Sequence, residues 1–318
     1  LYFSHCRSFG RGIAPEILSL DEAQRCAPGP LRSLGTPRPS IADLRRPRPL
    51  IMGIVNVTPD SFYDGGRNLD PNAAIARGRA LAASGAAILD IGGESTRPGA
   101  EAVSVAEELA RVIPVIEVLA HEGLVISVDT RKAEVMEQAV KAGARMINDV
   151  TALRHEPDSL ARAAKLTGAQ AVFVVLMHSR GQPSDMQSMT RYDDLIMDVF
   201  DDLAARVEAC VAAGIDRDRL LIDPGLGFAK DAEQSIRLLR QMATFHALGC
   251  SVLVGASHKS FIGSLTDAAR SEDRMSGSLA AALWAAQQGA AILRVHDVAE
   301  TAQTMAIYRS LCYDANDL

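Results

Sequence analysis

Residues 50–57 read Leu50-Ile51-Met52-Gly53-Ile54-Val55-Asn56-Val57, an apolar run interrupted by one glycine and one amide. A run with no apolar/polar alternation suits a strand covered on both faces, the situation of parallel sheets. Seven more runs of the same kind follow at 86–91, 124–129, 144–149, 170–177, 219–223, 251–255 and 290–295. The Ala-rich stretches between them leave room for one helix per crossover, as parallel neighbours require. Ser84-Gly85, Ala142-Gly143 and Gln288-Gly289 read as helix C-terminal turns feeding the next run. Eight such units in about 260 residues predict an α/β chain folded as a TIM-type (β/α)8 barrel. A doubly wound open sheet is the alternative.

The barrel is expected over residues 49–318. Residues 1–48 form an N-terminal extension in which Pro28, Pro30, Pro37, Pro39 and Pro47 crowd a basic segment without sustained apolar periodicity, so partly irregular structure is expected. Its opening Leu1-Tyr2-Phe3-Ser4-His5 resembles the scar left by removal of an affinity tag. Hydrophobic residues make up 48% of the 318, enough for a large core. No stretch approaches the roughly 18 consecutive apolar residues of a membrane helix, and the expected setting is cytoplasmic. Five scattered cysteines, none spaced as CxxC, suggest neither a disulfide framework nor a zinc site. A net charge of −6 argues against a general nucleic-acid or membrane surface, so an anionic substrate would need a local basic pocket.

Barrel active sites gather at the C-terminal ends of the strands. Every run ends in polar residues: Asn56; Asp90; Asp129; Asn148-Asp149; Met177-His178; Asp223; Ser257-His258-Lys259; and Arg294-Val295-His296-Asp297. For Asp149 and Asp297 a capping or turn role competes with a functional one. Carboxylates and amides (Asp129, Asn148, Asp223) fall on the middle strands, and cations (Lys259, Arg294, His296) on the last two. That division suggests a ligand with two unlike ends, a donor-rich heterocycle and an anion.

The string Gly53-Ile54-Val55-Asn56-Val57-Thr58-Pro59-Asp60-Ser61-Phe62 with Asp64-Gly65-Gly66, and the string Gly92-Gly93-Glu94-Ser95-Thr96-Arg97-Pro98-Gly99, resemble the two signatures of dihydropteroate synthases. Ser127-Val128-Asp129-Thr130, Ile147-Asn148-Asp149-Val150, Asp223-Pro224-Gly225-Leu226-Gly227-Phe228 and Ser257 with Lys259 follow in the family's order. The resemblance spans residues 50–311. It implies a folate-pathway transferase that condenses 6-hydroxymethyl-7,8-dihydropterin pyrophosphate with p-aminobenzoate, uses Mg2+, forms a homodimer and is a sulfonamide target. It implies catalysis by Asp129, Lys259 and Asn56, and a pterin pocket of Asp129, Asn148, Met177, Asp223 and Lys259. Asn56, as metal ligand, with Arg294 and His296 would hold the pyrophosphate. Phe62, Thr96, Arg97, Pro98, Ser257 and Phe228 would hold p-aminobenzoate. Partners are thus small molecules, with no nucleic acid and no membrane.

His258 stands where the family usually has Arg, and Ser278 where Thr is usual. An imidazole does not replace a permanently charged fork. His178 and Arg180 could face the site or make structural hydrogen bonds, and Trp284 could serve an interface or ordinary packing. Two rival readings are a pterin-dependent methyltransferase and a pterin-binding paralogue without catalysis.

Overall fold

A computed structural model describes residues 5–44, 49–58, 70–95, 100, 102–182 and 185–312. After an N-terminal hairpin of β1 (His5–Gly10) and β2 (Ile13–Ser19) come α1 (Leu20–Cys26) and α2 (Pro28–Gly35). Eight strands then alternate with helices: β3 (Leu50–Asn56), α3 (Pro71–Ala83), β4 (Ile88–Gly92), α4 (Val105–His121), β5 (Ile126–Asp129), α5 (Ala133–Lys141), β6 (Met146–Asp149), α6 (Ser159–Ala169) and β7 (Phe173–Met177). The series continues with α7 (Leu195–Ala212), β8 (Leu220–Asp223), α8 (Ala232–Arg240), β9 (Ser251–Val254), α9 (Ser260–Thr266), α10 (Met275–Gln287), β10 (Ile292–Val295) and α11 (Val298–Cys312). β3 to β10 pair in parallel and in chain order, and β10 closes on β3. The structure is thus a (β/α)8 barrel, not an open sheet.

All eight apolar runs become barrel strands, several starting two or three residues late. The leading residues belong to helix ends instead: Ala86 N donates to Leu81 O (3.0 Å), Leu124 N to Leu119 O (3.2 Å), Ala144 N to Ala139 O (2.9 Å) and Ala290 N to Ala285 O (3.0 Å). These are the long bonds of a Schellman turn, whose left-handed residue is glycine, as at Gly143 with φ +113°.

Strand periodicity then decides what lines the barrel. Leu50, Met52, Ile88, Met146, Phe173, Val175, Leu221, Leu253 and Ile292 form one inner apolar cluster, while Ile51, Val55, Leu89, Ile91, Ile147, Val174 and Ile222 pack outward against the helices. Two residues beyond an inner apolar position lies another inner position. The alternation that buries Ile88, Met146, Leu221 and Ile292 low in the barrel therefore points Asp90, Asn148, Asp223 and Arg294 into its upper mouth.

The extension is more ordered than its composition suggests. Ser19 and Glu22 form a capping box on α1, and Pro28 opens α2 at a position where proline costs no hydrogen bond. Pro28, which read as a breaker, is here a helix starter. Arg11 on the hairpin turn pairs with Asp198 and Asp201 of α7, at 2.7 Å each. Ile41 and Ala42, 2% and 3% exposed, join the inner cluster and close the lower end of the barrel. Among the described residues no helix is long and apolar enough to cross a membrane.

Candidate active site

At the upper mouth one guanidinium ties two carboxylates together. Arg294 donates from Nε to Asp90 Oδ2 and from Nη2 to Asp129 Oδ2, at 2.6 Å each. Asn148 Nδ2 donates to the same Asp90 oxygen at 3.0 Å. Asp90 is completely buried, and its second oxygen has no partner among the described residues. Burial pushes the Asp129 carboxyl up to about 7, against the pull of Arg294. Arg294 holds its proton more firmly than usual: burial opposes its charge, but Asp90 and Asp129 outweigh burial. The short contacts describe the charged pair.

Asp223 lies on the far side of this mouth, buried at the end of β8, where Gly225 N donates to its Oδ1 at 2.7 Å. Burial raises its pKa above the ordinary carboxylate value, opposed by that hydrogen bond and by Lys259. Lys259 follows β9; burial brings its ammonium down to about 8, while Asp223 and Asp129 work to keep the proton on. Its Nζ lies 4.1 Å from the centroid of the Phe228 ring, a cation–π contact. Met177, 3% exposed, closes β7 beside Asp223, with which it is paired in register.

Ser257 and His296 form a second pair: Ser257 Oγ accepts from His296 N (3.2 Å) and lies 3.0 Å from its Nδ1. His258 turns away toward Asp297, with Nε2 2.6 Å from Oδ2, and its ring centroid lies 5.0 Å from that of His296. Its backbone N donates to Ser278 Oγ at 3.0 Å, so the serine supplies a hydroxyl acceptor at that turn. Asn56 is half-buried at the end of β3, in register with Gly92. The structure thus gathers Asn56, Asp129, Asn148, Met177, Asp223, Phe228, Ser257, Lys259, Arg294 and His296 at one end of the barrel. Phe62, Thr96, Arg97 and Pro98 lie outside the described residues.

Two open alternatives resolve toward structure. Asp149 accepts from Thr151 N, Thr151 Oγ1 and Leu153 N at 2.7–2.8 Å, so its carboxylate builds the turn after β6. His178 is 1% exposed, and its Nδ1 lies 2.8 Å from Nζ of the buried Lys230; burial lowers the imidazole to about 3 and the amine to about 7. Arg180 stacks on the Tyr192 ring at 3.9 Å. Sequence reasoning noted Asp90 as a strand end but missed its grip on Arg294. It missed Lys230 altogether, a single lysine in a loop with no pattern to flag it.

The site offers carboxylate and amide acceptors for a hydrogen-bonding heterocycle, beside a cationic edge. Comparison with known proteins agrees with that chemistry. Residues 52–296 match the family described as pterin binding enzyme. The dihydropteroate synthase of Escherichia coli is 48% identical over 260 residues, which cover 81% of this chain and 90% of that protein. A solved structure of Xanthomonas albilineans dihydropteroate synthase with 4-aminobenzoic acid is 51% identical, covering 84% of this chain and 94% of that one, at a TM-score of 0.78. The Yersinia pestis dihydropteroate synthase in a sulfonamide drug complex is 44% identical, covering 87% and 99%, at a TM-score of 0.80. The chain belongs to the pterin-binding enzyme family, among its dihydropteroate synthases.

Proposed function

We propose that this chain joins 6-hydroxymethyl-7,8-dihydropterin pyrophosphate to p-aminobenzoate, giving 7,8-dihydropteroate and pyrophosphate. The observation that carries the reading is one mouth that gathers Asp129, Asn148 and Asp223 together with Lys259, Arg294 and His296, with Arg294 paired to Asp129 and Lys259 acting on Asp223. A pterin presents N–H donors and ring acceptors along one edge, which a buried carboxylate pair, an amide and an ammonium can match. Met177 would line the ring pocket.

The reaction breaks the C–O bond between the pterin methylene and pyrophosphate and forms a C–N bond to the arylamine. The amine proton leaves with solvent or pyrophosphate, so no side-chain nucleophile is needed. Bond breaking ahead of attack leaves positive charge on the pterin, and Asp129 stabilises it from a dry, fixed position. Arg294 and His296 hold the departing pyrophosphate. When the pyrophosphate arrives, Arg294 exchanges part of its pairing with Asp90 and Asp129 for phosphate oxygens.

Asn56 fits a role toward Mg2+. Its amide offers one hard oxygen, and among the described residues no group of three or more His, Cys, Asp or Glu side chains could cage an ion. Mg2+ commonly takes few protein oxygens and completes its shell with phosphate and water. Bound there with substrate, it would neutralise the leaving group. Ser257 and Phe228, with Phe62, Thr96, Arg97 and Pro98, would receive p-aminobenzoate, and sulfonamides would compete for that half. The setting is cytoplasmic and the chain works as a homodimer.

Calorimetric titration with the dihydropterin pyrophosphate and Mg2+ tests the assignment. Binding in the native chain and its loss in Asp223→Asn is the expected result. Equal binding by both would remove Asp223 from the pocket. Transfer of a methyl group from methyltetrahydrofolate to a corrinoid would favour the methyltransferase.

A further inference from the structure

Lys230, on the loop between β8 and α8, is only 2% exposed, and none of its hydrogen-bond partners is a carboxylate. Its Nζ donates to the carbonyl oxygens of Phe228 (2.9 Å) and His178 (3.4 Å) and lies 2.8 Å from His178 Nδ1. Burial, helped by the charge of Lys230, keeps that imidazole neutral, so Nδ1 accepts and Nε2 carries the ring proton. The three donors of one ammonium therefore meet three acceptors, two on the loop after β7 and one on its own loop. The same two loops are joined twice more: Tyr192 Oη donates to Ala229 O at 2.9 Å, and Gln187 Nε2 to Gly227 O at 3.1 Å.

The residue at the centre of these bonds is Phe228. Lys230 holds its carbonyl, its backbone N donates to Gly225 O at 3.1 Å, and its ring lies 4.1 Å from Lys259 Nζ. A line of single contacts thus runs from His178 through Lys230 and Phe228 to the ammonium at the mouth of the barrel. Ala229, the next residue, has φ +51°, a left-handed conformation that a residue with a Cβ keeps only where its surroundings hold it.

A charged amine buried among neutral acceptors is a weak device for stability, because those bonds offset its desolvation only in part and an apolar side chain would fill the same space. What the ammonium adds is aim. Its bonds in three directions fix where the Phe228 carbonyl sits, and with it the turn that carries the ring.

We propose that Lys230 is a positioning residue for the pterin half of the reaction: it holds the Phe228 ring over Lys259, and the ring fixes where the Lys259 ammonium points. The proposal rests on the functional reading above. Lys230 acts through Phe228, so its loss should matter only while the ring is present. In the full chain, Lys230→Met keeps the apolar stem and removes the donors. Calorimetric titration with dihydropterin pyrophosphate and Mg2+ should show Kd raised about fivefold in Lys230→Met and about tenfold in Phe228→Leu. The double variant should bind within about twofold of Phe228→Leu, whereas a merely structural lysine gives losses that multiply.

An unchanged Kd in either single variant, or multiplied losses in the double variant, overturns the proposal. Lys230→Gln, which keeps a shorter donor, enters the same cycle if Lys230→Met does not fold; failure of both to fold assigns the lysine to stability and overturns the proposal too. A native chain that binds no pterin pyrophosphate would refute the functional reading instead. The proton shift of the Lys259 εCH2 group then decides: an upfield ring-current shift in the native chain that is lost in the Lys230 variant supports the proposal, and an equal shift in both rejects it.

Discussion

Asp129 and Lys259 titrate toward each other across the mouth of the barrel. Burial raises the carboxyl to about 7 and lowers the ammonium to about 8, so both are charged only in a narrow window between. Below it Asp129 gains a proton and, in the proposed reaction, would no longer stabilise a cationic pterin; above it Lys259 loses its charge. kcat/KM for the pterin substrate should therefore follow a bell with limbs near those values, and Lys259→Arg should move the alkaline limb to higher pH while the acid limb stays. Asp90 should matter as much without touching substrate. Asp90→Asn withdraws one of two charges from Arg294, with an expected cost of about 3 kcal/mol in urea unfolding and roughly a hundredfold in kcat/KM. Asp129, Asn148, Asp223 and Arg294 were legible in the sequence because each follows an apolar run in strand register. The Arg294–Asp90 pair was not legible: it joins positions 204 apart and exists only once the barrel closes.

At the scale of elements, the turn after β8 is the tightest constraint on the site. Gly225 has φ +70°, and a Cβ there would lie 2.0 Å from the His178 carbonyl oxygen. Gly225→Ala should therefore cost about 3 kcal/mol or more by denaturant unfolding, and it should weaken pterin binding because Gly225 N anchors Asp223. The carboxylate of Glu94, just past β4, pairs with Arg131 and Lys132 and adds a pH signature. Arg131, the Val103 N–H and Lys132 hold Glu94 below its ordinary 4.5 despite burial, so its contribution to stability is complete above that value and fades as pH falls through the lower folded one. The gap in melting temperature between native chain and Glu94→Gln should be widest near neutrality and shrink in acid. Strands were legible because a doubly covered strand needs a continuous apolar run. Helix α2 was hidden because prolines that end helices also begin them, and the difference rests on one residue of register.

For the whole molecule, the lower end of the barrel separates the extension into two parts. Residues up to Gly35 lie outside the barrel, attached in part through the exposed Arg11 pairs, whereas Ile41 and Ala42 complete the inner cluster beneath Met52 and Ile292. Deleting residues 1–35 should leave the melting temperature within about 4 °C, and deleting 1–44 should lower it by roughly 6–12 °C, because a buried isoleucine and its neighbours are lost. The barrel and the pterin end of its mouth follow from eight apolar runs and their polar ends; the arylamine end leans on loop signatures whose reading came from family likeness. The most direct test joins both ends in one tube. Folded protein is supplied with dihydropterin pyrophosphate, p-aminobenzoate and Mg2+, and pyrophosphate and dihydropteroate are measured together. We expect the two products in equal amounts, with sulfonamide competing against p-aminobenzoate alone; no pyrophosphate release from folded, pterin-binding protein would contradict the account.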